Sequence, residues 1–134
     1  MTEHHKLAER PRAFIKRAAF WCFWPALAVV AWGELRSNPQ DFPELIAWDK
    51  AQHFTAYYGL AFLATLGWGR VIRARFILAG VLAAGGALEV LQGQIGRDAE
   101  WADMGANTLG ALMGLGLGFL LLQATRLVDA RRGD

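Results

Sequence analysis

Four long apolar runs set the terms on which this chain can fold. Ala18 to Leu35 is uncharged as far as Glu34, and Phe54 to Gly69 carries no charge over sixteen residues. Phe76 to Leu88 is apolar and continues past Glu89 to Gly96, while Met104 to Thr125 is uncharged and rich in glycine. A membrane-crossing helix needs roughly 20 mostly apolar residues, because inside hydrocarbon every backbone N–H and C=O must be satisfied within the segment. Four such helices would use about 80 of the 134 residues and leave no room for a separate soluble domain of ordinary size. The apolar share of 54% exceeds the usual soluble range of about 45–50%. The expectation is an all-α fold, one domain forming a bundle of four transmembrane helices near 18–35, 52–69, 76–95 and 104–125. Any function then sits in the membrane or at its faces.

The basic residues set an orientation, since short Lys/Arg-rich segments stay cytoplasmic. Lys6, Arg10, Arg12, Lys16 and Arg17 precede the first run, Arg70, Arg73 and Arg75 join the second and third, and Arg126, Arg131 and Arg132 follow the fourth. Arg36, Lys50 and Arg97 are left for the two opposite loops, which gather Asp41, Glu44, Asp49, Asp98, Glu100 and Asp103. Residues 1–17 and 126–134 are therefore expected to be cytoplasmic, in a multi-pass protein of a bacterial plasma membrane. Ala26-Leu27-Ala28 has the form of a signal-peptidase site, but the apolar run continues through Val29 to Trp32, as in an uncleaved anchor. Pro25 is expected to kink or loosen the first helix. Net charge is only +2 and the basic residues form no single tract, so a nucleic-acid partner is not expected. Cys22 is the only cysteine, which excludes an intrachain disulfide.

Polar residues embedded in the apolar runs carry the functional signal. Asp49, His53 and Tyr57 stand at i, i+4 and i+8, so on a helix they form one stripe entering the bilayer from the outer face, with Lys50 beside them. Glu89 and Gln92 share a face of the third helix, and Asp103 and Asn107 share one at the start of the fourth. All map to the outer end of the bundle. An ionised group near a helix centre costs at least about 2.5 kcal/mol in a membrane, so Glu89 is expected to face a partner or a wet cavity rather than lipid. Bland readings compete: Asp49 and Lys50 can mark an interfacial helix start, His53 can be a packing residue, and Tyr57, Gln92 and Asn107 can be interhelical hydrogen-bond formers. Glu89 and Arg97 are harder to explain as packing. Gly110, Gly114 and Gly118 form overlapping small-residue motifs that seat the fourth helix closely against the second or third, and Gly85-Gly86 allow close approach or a local break.

Ser37-x-Pro39, Asp49-Lys50-x-x-His53-Phe54-x-x-Tyr57-x-x-Leu60, Glu89-x-x-Gln92, Gly96-Arg97 and Asp103-x-x-x-Asn107-x-x-Gly110 together resemble the VanZ-like family of small bacterial membrane proteins. The resemblance runs from about Arg36 to Gly114, departing where Ile95-Gly96 stands in place of the family's frequent Pro-Gly. It implies a multi-pass plasma-membrane protein related to a teicoplanin-resistance protein, without implying glycopeptide resistance here. The polar set carries over as a site: Asp49, Lys50, His53, Tyr57, Glu89, Gln92, Arg97, Asp103 and Asn107.

Three functions fit these residues. In the first, the pocket binds or shields an anionic lipid or lipid-linked envelope precursor, with Arg97 and Lys50 on a phosphate and Asp49, Glu89 and Asp103 orienting the cations. In the second, an intramembrane enzyme modifies such a lipid with His53 and Glu89 as catalytic acid/base groups. In the third, the polar set is structural and function lies with a protein partner or a second copy. No HExxH-type spacing points to zinc, so no metal and no cofactor are expected, a site built from His53, Glu89 and Asp103 being the minor alternative.

Overall fold

The computed structural model describes residues 3–36, 49–94 and 101–132, with side chains over 12–36, 50–94 and 101–128. Four helices make up the described chain: α1 (Glu3–Glu34), α2 (Asp49–Trp68), α3 (Ala74–Gln94) and α4 (Trp101–Arg132). The all-helical expectation holds among these residues. Three of the helices are long and apolar enough to cross a membrane, over Arg12–Glu34, Ala74–Gln94 and Trp101–Val128. The fourth, α2, has 20 residues and reaches about 30 Å at 1.5 Å per residue, the thickness of a hydrocarbon core. Its Gln52, His53, Thr55, Tyr57, Tyr58 and Thr65 make it too polar to belong to that set by composition.

Two helices outrun the lengths read from hydropathy. α1 begins at Glu3 rather than near residue 18, and α4 continues to Arg132 rather than stopping near 125. Each has 32 residues, or about 48 Å, so the basic segments at both ends continue the helices instead of forming separate tails. α1 is helical through Pro25, and α3 is helical through Gly85 and Gly86, so the diglycine serves close approach and makes no break.

α2 packs against each of the other three helices and supplies most of the core. Tyr57, Leu60, Ala61 and Ala64 of α2 join Ile77, Val81 and Ala111 in one buried cluster, with Phe23, Ala26, Leu27 and Val30 of α1 against it. Between α2 and α3 the chain turns within five residues, where Val71 and Ile72 N–H donate to the Trp68 carbonyl. Arg12 on α1 donates to the Thr125 carbonyl of α4, so the start of α1 lies beside the end of α4. The helices therefore alternate in direction, and α2 and α4 run parallel.

The small-residue stripe of α4 seats on α2, one of the two neighbours expected for it. A Cβ at Gly110 would collide with the Phe54 carbonyl, one at Gly114 with the Tyr58 carbonyl, and one at Gly118 would lie 2.7 Å from Thr65 Cβ. The outer surface is strongly apolar: Phe14, Trp21, Val29, Phe76, Val90, Leu120 and Leu127 are all exposed. A continuous surface of this kind on a soluble monomer would be exceptional, and it suits lipid. Trp21, Trp24 and Trp68 cluster with Phe20 and Phe23 toward one end, and Trp32 and Trp101 are exposed toward the other. Tryptophans at two levels match the aromatic belts found at membrane interfaces.

Candidate functional site

The helix directions bring four helix ends together: the last turn of α1, the first turns of α2 and α4, and the last turns of α3. Every sequence-predicted site residue whose side chain is described lies here. Lys50 Nζ is 2.7 Å from Asp103 Oδ1, a charge-assisted contact between the first turns of α2 and α4. Lys50 is one-quarter exposed, while the Asp103 side chain is buried. His53, one turn further into the bundle, lies 3.1 Å from Asn107 Oδ1 through Nδ1 and 3.8 Å from Asp103 Oδ2 through Nε2. Asn107 is fully buried, and its Nδ2 has no hydrogen-bond partner among the described residues.

Glu34 was missed in the sequence reading, and it completes the cluster from α1. Its Oε1 lies 3.7 Å from His53 Nδ1, its Oε2 accepts from the Tyr57 hydroxyl at 3.3 Å, and its backbone carbonyl accepts from Gln92 Nε2 at 2.8 Å. The Gln92 bond satisfies one of the carbonyls that the end of α1 leaves without an intrahelical donor. A signal for Glu34 existed: it is the charge that ends the first apolar run at the same face as the other polar groups. Tyr57 reaches Glu34 because α3 carries glycine opposite it. A Cβ at Gly85 would stand 2.7 Å from Tyr57 Cε1 and 2.9 Å from its hydroxyl.

Among the described residues His53 Nδ1 faces two oxygen acceptors, the Asn107 amide oxygen and the Glu34 carboxylate, and Nε2 faces a third, Asp103 Oδ2. Glu89 approaches from α3. One ligand atom each from His53, Glu89 and Asp103 lies within 4.8 Å of the others, and all three residues are buried. These residues are far apart in sequence, which is why no linear metal motif announced them. Asp49 opens α2, but its side chain, like Arg97 and the Ser37–Pro39 and Gly96 parts of the family pattern, lies outside the described residues.

Comparison with protein-family models, with curated proteins and with solved structures finds no match in any of the three. The chemistry of the site must therefore be argued from its own groups. Among the described residues, three carboxylates, one lysine, one imidazole, one phenol and two carboxamides cluster at one end of an apolar bundle. Such a set can bind a polar headgroup, hold a cation, or relay a proton.

Proposed function

We propose that the chain is a four-span membrane protein, with α2 as the fourth span, that binds the polar headgroup of an anionic lipid or lipid-linked envelope precursor. The observation that carries this reading is the position of Lys50, one-quarter exposed at the mouth of an otherwise buried polar cluster. Lys50 pairs with Asp103 and still reaches the interface, and a headgroup site needs such a cation. Arg97 adds a second cation by its place in the sequence, in the connection between α3 and α4, and guanidinium suits phosphate by bidentate hydrogen bonding. The excess of Lys and Arg at the opposite end supports cytoplasmic termini, a bacterial plasma membrane and a pocket open to the outer leaflet. The resemblance to the VanZ-like family, which rests on motif spacing, is in keeping with a cell-envelope role.

A second reading has one observation in its favour. His53 Nδ1 lies 3.1 Å from the Asn107 amide oxygen, a hydrogen bond that can orient an imidazole for proton transfer. Purified protein in nanodiscs, loaded with an envelope-lipid extract and followed by mass spectrometry, separates the two. Retention of an unchanged anionic lipid that falls at least tenfold in Lys50→Ala and Arg97→Ala supports binding. A new product that disappears in Glu89→Gln supports catalysis. Equal lipid profiles for all variants, each still folded and membrane-inserted, would refute both and leave the cluster structural.

A further inference from the structure

We infer that His53, Glu89 and Asp103 form a binding site for a divalent transition-metal cation with the preferences of Zn2+. Three ligand atoms mutually within 4.8 Å always have a common point no more than about 2.8 Å from each, by plane geometry. Zn2+ holds nitrogen and carboxylate oxygen at about 2.0–2.2 Å, so each donor needs to move inward by well under 1 Å. The His53 Nε2 to Asp103 Oδ2 separation of 3.8 Å is too long for a hydrogen bond. A tetrahedral Zn2+ sets two such donors about 3.4 Å apart, so this pair would close by about 0.4 Å on binding.

The surroundings match what a metal site requires of its supporting groups. A ligating histidine donates its other ring N–H to an oxygen acceptor, and Nδ1–H of His53 meets Asn107 Oδ1 at 3.1 Å with Glu34 behind it. A ligating carboxylate is itself hydrogen-bonded, and Lys50 holds Asp103 by Oδ1, leaving Oδ2 for the ion. The same Asn107 is fully buried, and its Nδ2 has no partner among the described residues. Charge points the same way. Glu34, Glu89 and Asp103 are three carboxylates in one cluster with a single lysine, Lys50, and a divalent cation offsets the two that Lys50 leaves over. In a membrane interior that balance matters more than at a water-exposed surface.

This site is independent of the lipid reading and sharpens it, because a cation is what lets an acidic pocket accept an anionic headgroup. The test uses the full-length protein in nanodiscs, freed of metal with chelator and titrated with Zn2+ against a chromophoric competitor. One equivalent per chain is expected, with affinity at least tenfold weaker in His53→Ala and in Asp103→Asn. A His4→Ala/His5→Ala double variant should bind unchanged. Where a cluster variant fails to elute as a folded species, zinc-edge X-ray absorption on the unaltered chain decides. One imidazole with oxygen ligands supports the site; two imidazoles, or none, overturn it. Stoichiometry below about one tenth, or affinity unchanged in folded His53→Ala, also overturns it. Zn2+ binding that persists when lipid retention is absent sinks the headgroup reading alone. Lipid retention without Zn2+ binding sinks the cation site alone.

Discussion

Replacing Gly110 by alanine adds one methyl group at the point where α4 rests directly on the α2 backbone. A Cβ there would meet three atoms of Phe54, the carbonyl oxygen well inside van der Waals contact, the carbonyl carbon at 3.0 Å and Cα at 3.1 Å. These are main-chain atoms in a helix, so no rotamer change relieves the clash and the helices must part locally. Inserting a methyl into a close-packed contact costs about 1–3 kcal/mol, and the rigid obstacle puts this position in the upper half of that range. The separation also stretches the His53–Asn107 contact, because His53 precedes Phe54 and Asn107 lies one turn before Gly110. Gly116→Ala is the internal control: nothing lies within 4 Å of its Cβ, and alanine in an exposed helix interior gains about 0.5–1 kcal/mol over glycine. Thermal unfolding of the purified protein, followed by tryptophan fluorescence in one detergent, should show Gly110→Ala lowered and Gly116→Ala unchanged or raised. Equal midpoints for the two variants would refute the backbone contact between α2 and α4.

Tyr57→Phe removes the hydroxyl that Glu34 accepts at 3.3 Å and keeps the ring packed against Gly85. A hydrogen bond to a charged acceptor is worth about 1.5–3 kcal/mol, and the long distance puts this one at the low end. The same unfolding assay should register a modest loss, and a midpoint equal to wild type would mean that the bond contributes nothing. A phosphatase or fluorescent reporter fused after Asp134 should report a cytoplasmic C-terminus in a bacterial host. A periplasmic signal would overturn the orientation read from Lys and Arg.

The segments 52–69 and 76–95 match the helices α2 and α3 to within a few residues, since both helices stop close to where their apolar runs stop, and of the two α3 alone is apolar enough to cross a membrane by composition. α1 and α4 were underestimated because hydropathy reports the thickness of the hydrocarbon, whereas helical hydrogen bonding continues past it into the charged segments. The convergence of His53, Glu89 and Asp103 follows from alternating helix directions, the arrangement expected of successive apolar helices joined by short connections. Two facts needed three dimensions. That the glycines of α4 face α2 rather than α3 depends on rotation about the helix axis, which a Gly-xxx-Gly pattern leaves open. Glu34 looked like the mere end of an apolar run until its carboxylate was found between Tyr57 and His53.

The polarity of α2 is then what the architecture requires. A helix facing lipid must be apolar around much of its circumference, and α1, α3 and α4 meet that condition with exposed Val29, Phe76 and Leu120. α2 touches all three neighbours, and much of its polar set faces protein: His53 is buried, Tyr57 and Thr65 are fully buried, and the Thr65 hydroxyl donates to the Ala61 carbonyl of its own helix, while Gln52 and Thr55 near the helix start are exposed. In hydrocarbon, a polar group satisfied by a neighbouring helix resists separation of the two, because parting them would leave it unpaired. Placing the most polar helix at the centre thus fixes the order of the bundle and builds the buried polar cluster with the same residues. α2 can be less apolar than the other three helices for this reason, since its neighbours cover most of its surface.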